Sequence, residues 1–159
     1  MSELPRRIVF VCTGNTCRSP LAQALCEKLL AERLKCTVPE LPARGYIVQS
    51  AGLAAFPGCE ASPEAVNIAR EFGADLAQHR SQVLTFDLLA QADYIFAMTK
   101  VHLDILQALR GELGPTPRLL ADSGEDIADP LGSEAEVYRA CARQILSHLE
   151  KVVSEILIA

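Results

Sequence analysis

Short apolar runs alternate along the chain with longer segments in which apolar residues recur every three or four positions. Four of the short runs predict β-strands, at 8–12, 46–50, 93–98 and 117–121. Five periodic segments predict helices, at 20–34, 63–73, 86–90, 100–109 and from 133 onwards. Strands that alternate with helices are typical of an α/β domain with a mainly parallel sheet, and we expect that architecture here.

The ends of the first predicted helices carry residues that favour those positions. Ser19 and Pro20 stand where the first helix begins, as N-cap and first helical residue. Ser62 precedes the second helix in the same way, and Gly73 supplies its stop. The two prolines within 39–42 predict a loop before the second strand.

The final helix carries both a start signal and a continuous apolar seam. Ser133 and Glu136 have the spacing of a capping box. The residues predicted to face the core are Val137, Cys141, Ile145, Leu149, Val152 and Ile156.

Length and charge narrow the class of protein. At 159 residues the chain is about the size of one domain, so we expect a single unit over 1–159 that is monomeric by default. A formal net charge of -5 gives no basic surface for nucleic acid or an anionic membrane. The apolar run after Arg6 and Arg7 is too short for a signal peptide, and no stretch is long enough to span a bilayer. We therefore expect a cytoplasmic protein whose six cysteines are reduced.

The candidate chemistry lies in the turn between the first strand and the first helix, VCTGNTCRSP at 11–20. In an open parallel sheet, ligands bind beyond the carboxyl ends of the strands, which is where this turn lies. Gly14 and Asn15 tolerate a tight or left-handed backbone that points successive amides inwards. Those amides, the helix N-terminus behind them and the planar fork of Arg18 suit a phosphate group.

A cysteine at the floor of such a cradle is a candidate nucleophile. The positive potential that favours phosphate also favours the thiolate of Cys12, and Ser19 is placed to donate to it. A buried thiol in an ordinary strand-to-helix turn is the structural alternative. Cleavage needs an acid from another loop, and Asp129 before Pro130 is the candidate, although an Asp-Pro pair is also a common turn.

Four motifs spread over nearly the whole chain resemble the low-molecular-weight protein tyrosine phosphatase family. They are VCTGNTCRSP at 11–20, SAG at 50–52, DYIFAM at 93–98 and DP at 129–130. The resemblance implies a flavodoxin- or Rossmann-like α/β domain with a four-stranded parallel sheet flanked by helices on both faces. It also implies hydrolysis of a phosphorylated protein side chain without metal or cofactor.

The same resemblance implies roles for individual residues. Cys12 forms the phosphocysteine, Arg18 stabilises the phosphoryl group and Asp129 acts first as acid and then as base. The residues implied to bind or support the phosphoryl group are Thr13, Gly14, Asn15, Thr16, Cys17 and Ser19. Cys17 also matches a cysteine that pairs reversibly with the nucleophile in the family; packing within the loop is its alternative role.

The substrate is less sharply indicated than the chemistry. Thr16 resembles the protein arginine phosphatase branch, whereas tyrosine-specific members carry an aliphatic residue there. Leu131 follows the Asp-Pro pair. At that place the arginine phosphatase branch resembles Asp-Pro-Phe-Gly, with a phenylalanine, and tyrosine-specific members carry aromatic residues. Phe56 is the candidate for one remaining aromatic wall. Phosphoarginine is therefore favoured slightly over phosphotyrosine.

Several other functions fit the sequence less well. Arsenate reduction through a cysteine relay lacks a cysteine between Cys59 and Cys141, so it would need external thiols. A non-catalytic phospho-ligand binder needs neither the nucleophile nor the acid. No G-x-x-x-x-G-K-[ST] motif indicates a nucleotide site, and no second cysteine or histidine pair supports a zinc site. The three histidines are expected at the surface, and Asp122, Glu125 and Asp126 form either a solvated turn or an attractor for a basic peptide.

Overall fold

The computed structural model describes residues 4–159, in which strands and helices alternate as the sequence pattern predicts. The strands are β1 Arg6–Cys12, β2 Tyr46–Gly52, β3 Tyr94–Ala97 and β4 Arg118–Leu119. The α-helices are α1 Arg18–Leu34, α2 Pro63–Glu71, α3 Phe86–Gln91, α4 Lys100–Arg110 and α5 Ala135–Ile158. Two 3₁₀ helices, Val38–Glu40 and Pro42–Arg44, occupy the segment that was predicted to be a loop.

The strands form one parallel sheet in the order β2-β1-β3-β4, which confirms the predicted fold class. Side chains of β1 alternate between two layers because successive residues of a strand point to opposite faces. Ile8 and Phe10 pack among residues of α1, α2 and α5, whereas Val9 and Val11 pack among residues of α3 and α4. Helices thus cover both faces, and β1 lies at the centre with its carboxyl end towards the 12–18 loop.

The first helix starts earlier than predicted. It begins at Arg18 with Cys17 as N-cap, and no side chain caps it. Ser19 lies inside the first turn, so its predicted N-cap role is wrong. Its hydroxyl is instead within hydrogen-bond distance of the Cys12 Sγ and the Asn15 Nδ2. By contrast, Ser62 caps α2 by accepting from the Ala65 amide at 3.2 Å, as the sequence predicts.

The start of the last helix also differs from the prediction. Its N-cap is Glu134, without a side-chain cap, so Ser133 and Glu136 do not form the predicted capping box. Glu136 pairs with Arg139 instead. Val137 is exposed, and Tyr138 takes its place at the buried end of the seam, because residues three and four positions before Cys141 both fit a helical stripe.

The fourth strand is shorter than its apolar run suggests. Pairing with β3 covers only Phe96 with Arg118 and Ala97 with Leu119. Pro117 precedes it and offers no amide hydrogen, and the chain turns after Ala121, whose carbonyl accepts from Gly124. None of the helices in the described part of the chain is long and apolar enough to cross a membrane.

Candidate active site

A small cavity lies beyond the carboxyl end of β1 and gathers most of the sequence-predicted site residues. Its volume is about 150 Å³. Its lining consists of Cys12, Thr13, Gly14, Thr16, Cys17, Arg18, Asp129 and Leu131. Asn15 and Ser19 do not line it; both are fully buried behind the loop. The fold therefore joins two segments that are more than a hundred residues apart in the sequence.

Cys12 ends β1 with its thiol among hydrogen-bond donors. The Ser19 hydroxyl lies 2.9 Å from Sγ. The Asn15 amide donates to Sγ over 3.3 Å. A sulfur that accepts hydrogen bonds beside a helix N-terminus is a suitable candidate nucleophile.

Asn15 holds the sharp bend of the 12–18 loop. Its φ of 56° lies in the left-handed region, which asparagine tolerates better than most residues. Its Nδ2 donates to the hydroxyls of Ser19 and Ser50, both over 2.9 Å. Its Oδ1 accepts from the Gln82 amide at 2.9 Å. The bend is therefore fixed by buried side-chain bonds, whereas Gly14, which was also expected to supply this freedom, does not take a positive φ.

The SAG motif at the end of β2 supports the loop from one side. Ser50 accepts from Asn15 and donates to the Gln23 side chain over 2.7 Å. Gly52 approaches the loop so closely that a Cβ there would lie 2.6 Å from the Thr13 carbonyl oxygen. Only glycine fits at such a contact, so the motif is explained by packing against the 12–18 loop.

Arg18 connects the 12–18 loop with the segment that carries Asp129. Its buried guanidinium donates from Nη1 to the Ile127 carbonyl over 3.0 Å. Its Nη2 lies 3.6 Å from the Asp129 carboxylate, whose side chain is 50 % exposed. Asp129 also accepts from the Leu131 amide at 3.0 Å. The candidate acid is thus held, half exposed, at the cavity that Cys12 also lines.

Two histidines that were predicted to lie at the surface instead support the 12–18 loop. His79 is half-buried and its Nε2 lies 2.8 Å from the Asn15 carbonyl oxygen. His102 is 4 % exposed, and its Nε2 lies 2.8 Å from the Thr13 hydroxyl. Burial lowers the pKa of His79, and burial together with the nearby Arg18 lowers the pKa of His102 to about 4. The surface prediction is therefore wrong for both.

A positional signal for these residues exists in the sequence. His102 follows the predicted third strand by a few residues, and His79 and Gln82 lie in the segment before the third predicted helix. Polar residues just beyond the carboxyl ends of parallel strands are candidates for the site edge. The spacing gives no partner, however, because the contacts to Thr13 and Asn15 span 89 and 64 residues.

The second cysteine of the loop is in a different environment from the first. Cys17 lines the cavity but is buried, and burial raises the pKa of its thiol to about 12. It is therefore a neutral thiol at neutral pH. All six cysteines of the chain are free thiols in this structure.

Phe56 and the acidic residues within 122–126, which were candidates for contacting or attracting the substrate, do not line the cavity. Phe56 is 80 % exposed and does not line the cavity, so it forms no aromatic wall in this structure. Asp122 and Glu125 contact Lys151 and His148, and Asp126 accepts from an α4 amide. These carboxylates are exposed and paired within the chain, as expected for a solvated turn.

A larger groove lies elsewhere on the molecule. This groove of about 500 Å³ between α1 and the turn after α2 contains Glu27, Lys28 and Cys36, but none of the sequence-predicted site residues. Within residues 4–159, no group of three or more His, Cys, Asp or Glu side chains is arranged to hold a metal ion. The chemistry therefore assigns the candidate site to the smaller cavity.

Comparison with known proteins finds similarity over nearly the whole chain. Residues 7–157 match the family model described as low molecular weight phosphotyrosine protein phosphatase. A protein-arginine-phosphatase of Geobacillus stearothermophilus is 35 % identical over 157 residues, covering 96 % of this chain and 97 % of its own. The low molecular weight protein-tyrosine-phosphatase PtpB of Staphylococcus haemolyticus is 33 % identical, covering 92 % and 96 %. A structure of a cysteine-to-serine variant of the arginine phosphatase YwlE, with a phosphorylated active-site serine, superposes with a TM-score of 0.82 at 33 % identity, covering 94 % and 95 %.

Proposed function

Because the chain belongs to the low molecular weight phosphotyrosine protein phosphatase family, and is a cysteine-based protein phosphatase of that type, we propose that phosphoarginine is its preferred substrate. The observation that carries the proposal is the composition of the cavity. Thr16 stands in its wall, and among residues 4–159 no aromatic side chain lines it. A phenol ring is bound well between aromatic faces, whereas a guanidinium group needs a carboxylate or a hydroxyl beside it.

Cys12 is the proposed nucleophile. Its Sγ attacks phosphorus in line, the bond from phosphorus to the leaving nitrogen or oxygen breaks, and the electron pair goes to the leaving atom. The loop amides and Arg18 stabilise the charge on the three other phosphoryl oxygens. The positions of Ser19 and the Asn15 amide against Sγ support this role.

Asp129 is the proposed acid and base. Protonated, it gives its proton to the leaving group; deprotonated, it activates the water that hydrolyses the phosphocysteine and releases inorganic phosphate. Its place at the mouth of the cavity, half exposed and near Arg18, supports both steps. A carboxylate there also suits the positive charge that develops on an arginine leaving group.

The proposal is tested by kcat/KM for phosphoarginine and phosphotyrosine peptides of matched sequence, without added metal. We expect phosphoarginine to be hydrolysed with the higher kcat/KM, and the Cys12→Ser variant to show no turnover of either peptide. A preference for phosphotyrosine would overturn the substrate proposal and assign the apolar wall to Leu131. Full turnover by Cys12→Ser would overturn the mechanism.

The role of Thr16 has its own test. Thr16→Ile keeps the β-branch and removes the hydroxyl, so we expect the ratio of the two kcat/KM values to move about tenfold towards phosphotyrosine. Thr116→Ile, the same change at an exposed position away from the cavity, is the matched control. An unchanged ratio in Thr16→Ile would remove this residue from substrate selection.

A further inference from the structure

His102 is a buried histidine beside the cavity to which no role in the reaction has so far been given. It lies in the first turn of α4, where its backbone amide donates to the Oγ1 of the N-cap Thr99 over 3.1 Å. This contact fixes the backbone from which the ring projects. The ring reaches the 12–18 loop, with Nε2 at 2.8 Å from the Thr13 Oγ1.

The ring has one partnered and one unpartnered nitrogen. Within residues 4–159 the buried Nδ1 has no hydrogen-bond partner. Because burial and Arg18 lower the pKa of His102 to about 4, the ring is neutral at neutral pH and carries a single N–H. A proton on Nδ1 would leave a buried donor unpaired, whereas a proton on Nε2 makes a hydrogen bond to Thr13.

Thr13 is the residue through which this contact reaches the substrate. It follows the nucleophile directly, is exposed, and lines the cavity. Its carbonyl accepts from the Ala54 amide at 3.0 Å, on the side of β2. His102 holds its side chain from the side of α4, so the first residue after Cys12 is fixed from two directions.

We propose that His102 is a positioning residue whose neutral ring donates from Nε2 to the Thr13 hydroxyl, which leaves the hydroxyl hydrogen of Thr13 free to donate to the bound phosphoryl substrate. Thr13 touches the substrate and His102 acts only through it. The inference rests on the proposed function, because it assumes that a phosphoryl group occupies this cavity.

A double-mutant cycle with 4-nitrophenyl phosphate as substrate tests this coupling. We expect His102→Leu and Thr13→Val each to lower kcat about 3- to 10-fold, the value of one neutral hydrogen bond. The double variant is expected to have the same kcat as the less active of the two single variants, because both substitutions remove the same interaction. Multiplying losses would indicate two independent structural effects and overturn the proposal.

His102→Gln is the variant that separates positioning from packing. The Gln amide nitrogen lies near the position of the imidazole Nε2 and can donate to Thr13, so we expect it to recover most of the kcat lost in His102→Leu. The inhibition constant of inorganic phosphate should rise in Thr13→Val and His102→Leu by a similar factor. Equal losses in the Gln and Leu variants would overturn the proposal.

The outcomes also separate this inference from the proposed function. A wild-type protein that hydrolyses no phosphorylated substrate would overturn the function itself. A wild-type protein that is active, with Cys12→Ser inactive and the cycle additive, would overturn only the role of His102. If His102→Leu fails to fold, Thr13→Val alone decides, because its exposed side chain is not needed for the core and an unchanged kcat would end the proposal.

Discussion

The 12–18 loop and the 126–132 segment meet at one cavity, yet they are held in opposite ways. Four of the seven residues of the first are buried, and the Asn15 side chain ties it to Ser19, Ser50 and the Gln82 amide. The second is exposed at its tip, where Leu131 is 59 % exposed. Its contacts to the other loop run through Arg18, by one hydrogen bond and one ion pair.

The difference assigns separate tasks to the two sides of the site. A group that stabilises charge in the transition state must already be oriented before the reaction, and the buried hydrogen bonds of Asn15 suit the 12–18 loop to the proposed phosphoryl cradle. A group that transfers a proton and admits both substrate and water needs access, and the half-exposed Asp129 suits the proposed role of acid. Changes at the buried residues of the first loop should therefore affect stability and rate together, and changes at the exposed residues of the second should affect rate alone.

Asp129→Asn should produce the largest change in rate with little change in stability. Without a proton to give, the variant should lose about 100- to 1,000-fold in kcat. Its carboxylate is half exposed and lies 3.6 Å from the Arg18 Nη2, and Arg18 keeps its hydrogen bond to the Ile127 carbonyl, so the loss in the free energy of unfolding should not exceed about 1 kcal/mol. Steady-state kinetics and urea denaturation measure the two quantities. Asp122→Asn is the matched control, and an unchanged kcat in Asp129→Asn would place the acid elsewhere.

Asn15→Ala should change both quantities at once. It removes the three hydrogen bonds of the Asn15 side chain. It also places alanine, which has no side-chain polar group to stabilise this conformation, at a left-handed φ of 56°. We expect a loss of about 3 kcal/mol in the free energy of unfolding, together with a lower kcat. Asn15→Gly should recover about 1 kcal/mol of that loss by relieving the backbone. The exposed Asn67→Ala is the control; stability equal to wild type in Asn15→Ala would contradict the rigid-loop description.

The reactivity of Cys17 tests whether solvent reaches the interior of the 12–18 loop. Because burial raises its thiol pKa to about 12, Cys17 stays protonated at every pH below that value and should resist iodoacetamide between pH 7 and 9. Peptide mapping by mass spectrometry measures the rate, with the partly exposed Cys36 and Cys59 as internal references. Modification should begin to rise only as the pH approaches 12 or the protein unfolds. Cys17 reacting as fast as Cys59 at pH 8 would show that water reaches the loop interior.

Leu131→Ala should have the smallest effect on stability. The side chain is mostly exposed, so the free energy of unfolding should change by less than about 0.5 kcal/mol. Leu21→Ala, at a fully buried position in α1 just behind the 12–18 loop, should cost about 2 to 5 kcal/mol. The two midpoints of urea denaturation give the comparison. A similar loss in both variants would show that the 126–132 segment is as tightly packed as the loop opposite.

Most of the architecture follows from local pattern. The apolar runs and helical periods place every strand and α-helix within a few residues, and Ser62 caps α2 where the sequence predicts it. The errors lie at helix starts. Ser19 lies inside α1, where its hydroxyl contacts Cys12 and Asn15. The capping box predicted at Ser133 does not form, and Glu136 pairs with Arg139. Capping residues have several possible partners, and the tertiary contacts select among them.

The α/β fold and the residues proposed to carry the chemistry can be predicted from the sequence alone, because hydrophobic periodicity and the order strand, Cys12, Arg18, helix are local properties of the chain. The contacts of His79 and His102 with the 12–18 loop, and the position of Phe56 outside the cavity, follow only from the folded structure. Periodicity tells which face of an element is buried but not what it meets. The loops after β1, β2 and β3 become neighbours only when parallel pairing brings the carboxyl ends of those strands to one edge.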